Sequence, residues 1–401
     1  MQNPKKICIV SSQHLSANPR VWKEADLLAS SGYKVVIVTG FNSKEHIQRD
    51  KELLKSLHSN IEYKAGLNIT MGEVPLVKKA WYRFRYECAI VLKKAGIETK
   101  YLLSTSPDAI YEASRQERAD LYIAHVETGF YAGRKLALRG AKVVFDFEDW
   151  HSEDYLVPTR PVKYLKELEQ FALTKGFAAY CPSKSMADAL AERYNCTPPQ
   201  VVYNGFPIEK ENPRKSITDK PVMIWFSQTV GPGRGLESFI SALTDVKIPV
   251  VLRIVGNCSD AYKKSLGEIF PLNSGHELDI MPPVPHNQLH KVLCSADIGL
   301  ALEHGTPGNK KTTVSNKILQ YLQAGLKVIA TDTLGQQEIA DMVPGVVTVV
   351  PNNNVDLWAG KIDHAIKVET DRDNTIRLHD ELFSFDAQHK VILRVVKSAL
   401  A

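Results

Sequence analysis

Residues Lys6–Gly40 read KICIVSSQHLSANPRVWKEADLLASSGYKVVIVTG, and this stretch decides the fold. Its two ends, KICIVSS and KVVIVTG, are short apolar runs rich in β-branched residues, as buried strands are. Between them Val21, Ala25, Leu28 and Ala29 recur at helical spacing over Val21–Ser30, and Gly32 supplies a stop. A strand–helix–strand unit of this size implies parallel strands joined by a right-handed crossover. The same alternation continues through LYIAH from Leu121, KVVFDF from Lys142, GFAAYCPS from Gly176 and QVVYNG from Gln200. The polar, proline-bearing stretch from Pro207 to Pro221 then breaks it and reads as a linker. Afterwards it restarts with PVMIWFSQ (Pro221), VVLRIVG (Val250), ELDIMPPV (Glu277), IGLALE (Ile298), LKVIATD (Leu326) and GVVTVVP (Gly345). The expectation is an α/β protein of two Rossmann-like, doubly wound parallel-sheet domains, 1–206 and 207–384, facing a cleft. The end of the chain, about 385–401, reads as a helix with Val391, Ile392, Val395, Val396 and Leu400 on one face, crossing back to the first domain.

With 401 residues, the chain suits two cores rather than one. The net charge of +5 biases it only weakly toward anions and gives no reason to expect nucleic acid. Cys8, Cys88, Cys181, Cys196, Cys258 and Cys294 form no CxxC pair, and Cys8, Cys181 and Cys258 read as buried thiols. No apolar run is long enough to span a bilayer, and the start lacks a signal peptide's apolar stretch. The expected location is the cytoplasm, with peripheral membrane contact left open.

Two segments carry chemistry. Ser227–Leu243, SQTVGPGRGLESFISAL, follows a strand and opens a helix. Gly231, Gly233 and Gly235 allow a ligand close to the backbone, and Arg234 offers the cationic fork that suits a diphosphate. A plain βα turn with a solvated arginine is the alternative. Ile298–Asp332 places a Gly/Pro/Lys-rich loop between a strand ending at Glu303 and a helix starting near Ser315. The amides at Ser315, Asn316 and Lys317 would then open a helix and could hold phosphate oxygens. Glu303 could bind sugar hydroxyls, or simply pair with Lys310 or Lys311.

These segments, in this order, resemble the retaining glycosyltransferases of the GT-B fold, in their family 4 class. The resemblance is carried by Ser227–Glu237, by Asn316–Ala330 (NKILQYLQAGLKVIA), by ANPRVWKEADLLASSGYKVVIVT, by YNGFP at Tyr203 and by DTLGQQEI at Asp332. It implies a nucleotide-sugar donor, a glycan or lipid-linked acceptor, work on surface polysaccharide, no permanently bound cofactor and no required metal. It places Arg234 on the donor diphosphate, Ser227 and Gln228 beside it, Glu303 on the donor sugar and Gln320 on the ribose. The family usually has a Glu at the Gln320 position and often a second Arg near Gln228. It also places Glu148 of Asp146–Asp149 in a slot usually held by His, with His151 three residues on, both as sugar contacts. An acidic helix cap is the alternative for that loop. Rival activities within this fold are a nucleotide-sugar 2-epimerase and a non-catalytic sugar-nucleotide or glycan binder.

The acceptor side is read from Asn18 and Arg20 and from Val74–Gly96. There Lys78, Lys79, Arg83, Arg85, Lys93 and Lys94 interleave with Trp81, Tyr82, Phe84 and Tyr86, a composition that suits an anionic membrane surface. The opposite reading buries Trp81 and Phe84 and leaves the cations merely solvated.

Overall fold

The computed structural model describes residues 4–70, 74–213, 219–271 and 274–401, so part of the expected linker, 214–218, lies outside the described residues. Two compact units result: residues 1–202 together with 389–401, and residues 203–388.

The first unit holds a seven-stranded sheet, β1 (Lys6–Val10), β2 (Lys34–Phe41), β3 (Ile61–Asn68), β4 (Leu121–His125), β5 (Val143–Asp146), β6 (Ala178–Cys181) and β7 (Gln200–Val201). All pairings are parallel, in the order β3-β2-β1-β4-β5-β6-β7. The helix between β1 and β2 spans Pro19–Ser30, with the Asn18 side chain accepting from the Val21 amide at 3.3 Å. Proline at the first helical position costs no hydrogen bond, because that amide has no partner inside the helix. β3 escapes the sequence reading because it is an edge strand. Its IEYKAGLN has no residue fully buried, so neither alternation nor an apolar run marks it. Phe130 packs edge-on against Phe145 and Phe147, at ring separations of 5.3 and 4.8 Å, inside the core. The last helix, Phe385–Leu400, begins with Ser384 accepting from the Ala387 amide. Ile392, Val395, Val396 and Ala399 are its buried face, and the Tyr180 hydroxyl reaches the Ile392 carbonyl at 3.4 Å.

The second unit holds a six-stranded parallel sheet, β8 (Val222–Val230), β9 (Val251–Cys258), β10 (Glu277–Met281), β11 (Ile298–Ala301), β12 (Lys327–Thr331) and β13 (Val347–Val350), in the order β10-β9-β8-β11-β12-β13. Both sheets thus have the doubly wound order, reversing beside β1 and beside β8. Cys8, Cys181 and Cys258 are buried, as their strand positions predict.

One contact fixes the helix that matters most to the site. Tyr321, from the helix Asn316–Gln323, lies flat on β11 and donates its hydroxyl to the Leu300 carbonyl at 3.2 Å. The ring fits because residue 299 is glycine, where a Cβ would stand 2.1 Å from Tyr321 Cγ. Gly299→Ala should therefore push the helix off the sheet and cost at least about 1–3 kcal/mol, the usual range for overpacking, read from the urea midpoint at unchanged m-value.

Candidate active site

In the second unit the reversal of strand order falls between β8 and β11, where a doubly wound sheet leaves a crevice at its carboxyl edge. The turn after β8 brings Gly231, Gly233 and Gly235 round to the helix Leu236–Leu243. Gly233 and Gly235 hold φ of +72° and +82°, a backbone that side chains with a Cβ avoid. A Cβ at Gly235 would also meet that of Leu302 at 2.8 Å, so the turn sits directly against the chain leaving β11. Gly231 has neither constraint. Arg234 is exposed and its Nη1 donates to Ser227 Oγ at 3.1 Å, while Gln228 is exposed beside it.

Glu303, just after β11, is clamped from both sides. Its amide donates to Thr331 Oγ1 at 2.8 Å, and the same hydroxyl donates to the Glu303 carbonyl at 2.7 Å. The buried Gln336 side chain donates to Thr331 Oγ1 and to the Thr331 carbonyl, fixing that hydroxyl in turn. The Glu303 carboxylate accepts from Lys317 Nζ at 2.9 Å and Ser315 Oγ at 3.2 Å. Lys317, rather than Lys310 or Lys311, is thus its partner. Ser315 caps the helix Asn316–Gln323, and Lys317 Nζ lies 5.6 Å from the Trp225 ring centroid. Asn316 accepts from the Asn204 amide at 3.0 Å. The Gln320 amide is half-buried and has no hydrogen bond among the described residues. Gln336 and Thr331 were not singled out by sequence; the only sign of them was a glutamine soon after a strand end.

Burial alone would raise the Glu303 carboxyl, but the Lys317 charge and hydrogen bond outweigh it and hold it below the usual range. A depressed folded value stabilises the protein above the unfolded value of about 4.3, and that contribution is lost as pH falls.

The first unit brings a different group together at the carboxyl ends of β4 and β5. His125 is fully buried, with Nδ1 2.8 Å from Glu148 Oε1 and Nε2 2.8 Å from Glu24 Oε2. Asn18 Nδ2 also donates to Glu148, at 2.8 and 3.0 Å. Arg20 donates to Asp146 Oδ2 at 2.6 Å and to the Val202 carbonyl at 2.9 Å. One expectation and one alternative reading change here. Asn18 and Arg20, read as acceptor-side or membrane residues, are buried, Asn18 on Glu148 and Arg20 on Asp146 and the Val202 carbonyl, so neither offers a surface to a membrane. The Glu148 carboxylate caps no helix either; it is the one end of the Glu24–His125–Glu148 chain that reaches solvent, its side chain 16% exposed. His151 lies apart from this chain. It is buried with its ring edge-on to Phe130 and its Nδ1 3.8 Å from Glu127 Oε1, and among the described residues no hydrogen bond joins it to Glu148.

His125 and Glu24 were not expected from sequence, although a histidine ending LYIAH at the reversal beside β1 was a usable signal. Burial opposes charge on His125, yet the Glu148 and Glu24 carboxylates win and push it up to about 10. Burial pushes Glu24 up, and burial with the neighbouring Arg20 pushes Lys23 down to about 7. Ligand atoms of Glu24, His125 and Asp146 lie within 4.8 Å of one another. A metal ion fits them poorly, because both imidazole nitrogens face carboxylates and Arg20 already supplies the cation at Asp146.

Residues 220–367 match the family model described as glycosyl transferases group 1. The chain carries a glycosyl transferases group 1 domain. The protein is thereby an enzyme of the glycosyltransferase class, and the matched residues contain Ser227–Gly235, Glu303 and Ser315–Gln320. No curated protein matches the sequence significantly. Among solved structures, sucrose-phosphate synthase from Thermosynechococcus elongatus is similar at 13% identity and a TM-score of 0.68, over 98% of each chain. Anabaena Alr3699/HepE, solved in complex with UDP-glucose, is similar at 15% identity and a TM-score of 0.65, over 98% of this chain and 99% of that one. A putative UDP-N-acetylglucosamine 2-epimerase from Listeria monocytogenes is similar at 13% and 0.57, over 99% and 97%. At these identities the likeness is one of fold, the GT-B arrangement of two parallel α/β sheets.

Two measurements test this electrostatic description of the glycosyltransferase. Glu303→Gln should lower stability at pH 7 by about 1–3 kcal/mol, the cost of a lost charge-assisted hydrogen bond, and the deficit should shrink as pH falls below about 4. Denaturant titrations at both pH values read it; a deficit constant across them would mean the ion pair contributes nothing. His125 should keep both ring nitrogens protonated at pH 8, well above the ordinary value of about 6.5, as seen by the nitrogen shifts of labelled histidine.

Proposed function

We propose that the protein moves a sugar from a nucleotide-sugar donor to a glycan or lipid-linked acceptor, with retention at the anomeric carbon, in surface polysaccharide assembly. The observation that carries this reading is the pairing, at one switch point, of an exposed arginine on a glycine turn with the capped start of the helix Asn316–Gln323. Arg234 and the amides near Ser315 offer a diphosphate donors from two sides, with Lys317 as a second cation. The Anabaena neighbour's complex with UDP-glucose supports a nucleotide sugar as the ligand class.

In the reaction, the bond between the anomeric carbon and the diphosphate oxygen breaks, and its electron pair stays on the diphosphate. The acceptor oxygen attacks from the face that the diphosphate leaves, and the departing phosphate oxygen takes the acceptor's proton. What this asks of the protein is stabilisation of negative charge on the leaving group, which Arg234, Lys317 and helix amides supply. No metal is required in this scheme and no cofactor stays bound. Glu303 receives the donor sugar's hydroxyls and Gln320 the ribose, while Glu148, the solvent-reaching end of its chain, is the sugar contact the first unit offers. The expected setting is the cytoplasm, peripheral on the inner face of an anionic membrane, where a lipid-linked acceptor would be met.

Thermal shift against UDP, GDP and other nucleoside diphosphates should single out one base, because a ligand that binds only the folded state raises the melting temperature. With that donor and a glycan acceptor, Arg234→Ala should lose about 2–4 kcal/mol of transition-state stabilisation, roughly thirtyfold to a thousandfold in turnover. Turnover within threefold of wild type would remove Arg234 from this role. Mass spectrometry showing the donor sugar isomerised without any acceptor would replace the reading with epimerisation.

A further inference from the structure

The helix Leu76–Lys94 turns its apolar side outward. Only Tyr82 and Ala89 are buried, whereas Leu76 is 83% exposed, Val77 82%, Trp81 53%, Phe84 58% and Val91 65%. Val77, Trp81, Phe84 and Val91 recur at helical spacing, so they form one stripe, about 20 Å long, with Trp81 and Phe84 stacked at 5.6 Å. A helix that merely packs on its own domain would hide this stripe. The alternative reading, with Trp81 and Phe84 as core anchors, therefore fails.

The cations divide into two sets, and this too departs from the sequence reading. Lys79 donates to the Thr70 carbonyl, Arg85 to the Thr105 carbonyl, and Lys93 to the carbonyls of Pro158 and Arg160. Arg85 also lies 4.7 Å from the Tyr101 ring centroid. These three moor the helix to the first unit. Lys78, Arg83 and Lys94 are exposed, and among the described residues the one ion pair they make is Arg83 with Glu87, at 4.0 Å. The Lys93 mooring also ties the helix end to a loop where Tyr155, Leu156 and Val157 are exposed by 54%, 66% and 44%.

We propose that this face docks on the surface of an anionic lipid bilayer, the stripe entering the interface and Lys78, Arg83 and Lys94 resting on the headgroups. Three features favour a bilayer over a protein partner. The side chains protrude along a convex helix, which a fluid interface accommodates without a matching groove. Trp and Phe sit beside cations, the composition of helices lying in a membrane plane. The outward charge is positive, opposite in sign to an anionic leaflet. No helix among the described residues is long and apolar enough to cross a membrane, so contact by this helix would be interfacial. The inference deepens the membrane contact of the proposed function by naming its face, yet does not depend on sugar transfer.

The test is co-sedimentation with vesicles of phosphatidylcholine alone or mixed with phosphatidylglycerol, at low and high salt. Wild type should pellet with the anionic vesicles at low salt and in part at high salt, since apolar contact is not screened. Trp81→Ser with Phe84→Ser should abolish the salt-resistant part. Lys78→Ser, Arg83→Ser and Lys94→Ser together should abolish the preference for phosphatidylglycerol, while Lys79 and Arg85 variants should mainly lower the melting temperature. Wild type remaining in the supernatant at low salt overturns the proposal, as does unchanged pelleting of the Trp81/Phe84 variant. So does a dimer that this variant dissociates without any vesicle binding. Melting curves with and without UDP on the same variants report nucleotide binding separately, so failure here and failure of the transferase reading remain distinct.

Discussion

Every strand in both sheets runs parallel to its neighbours, and parallel pairing obliges the chain to cross back over the sheet after each strand. Because the first strand of each unit pairs on both sides, the chain winds outward from it in one direction and then returns to wind in the other. The crevice that opens at its carboxyl end is a consequence of connectivity, available before any side chain is chosen. Arg234 and Glu303 in one unit, and His125 in the other, follow or end strands that border such a point, with Glu148 one strand further on. Backbone order thus supplies position, and residue type supplies chemistry.

The two positions handle charge in opposite ways. In the second unit a partly exposed carboxylate faces one ammonium, and Arg234 is exposed, donating to a serine hydroxyl. Charge there remains available to a ligand. In the first unit Arg20 and His125 are buried with Asp146 and Glu24, and only Glu148 at the end of the chain reaches solvent. Burying so many ions would be prohibitive if they were unpaired, and the cluster compensates internally. Arg20 balances Asp146, His125 balances Glu148, and burial drives Glu24 toward its neutral form while drawing Lys23 down to about 7. Val126, directly after His125, holds φ of +55°, a strained conformation for a β-branched residue. The turn that presents the buried histidine is thereby held by its surroundings rather than by local preference.

Much of this was legible in the sequence for a definite reason. Central strands such as Val35–Val38 and Ile298–Ala301 are buried on both faces, so they appear as unbroken apolar runs, and the glycine turn and Ser315 announce themselves by residue type. Edge strand Ile61–Asn68 carries no such pattern. Hydrogen bonds across long sequence separations, such as Glu24 to His125 or Glu303 to Thr331, leave no local periodicity to read. The helix Leu76–Lys94 was legible in composition but not in orientation. Lys79 and Arg85 look like Lys78 and Arg83 until the carbonyls they bond are known, because a basic side chain can serve equally as a mooring or as a headgroup contact.

Two uncharged side chains, Gln228 and Gln320, stand where the resemblance implies charge, and this shifts weight onto Lys317. That ammonium is held by Glu303 at 2.9 Å. In the proposed reaction a diphosphate at the start of the helix Asn316–Gln323 would compete with Glu303 for the same ammonium. Drawing Lys317 toward phosphate would release lone pairs on the Glu303 carboxylate for sugar hydroxyls, while the Thr331 clamp keeps the Glu303 backbone in place. Nucleotide binding and sugar recognition would then be coupled through one cation. A bare sugar, bringing no phosphate to take the lysine, would meet a carboxylate already satisfied, and the site would favour the intact nucleotide sugar over its parts.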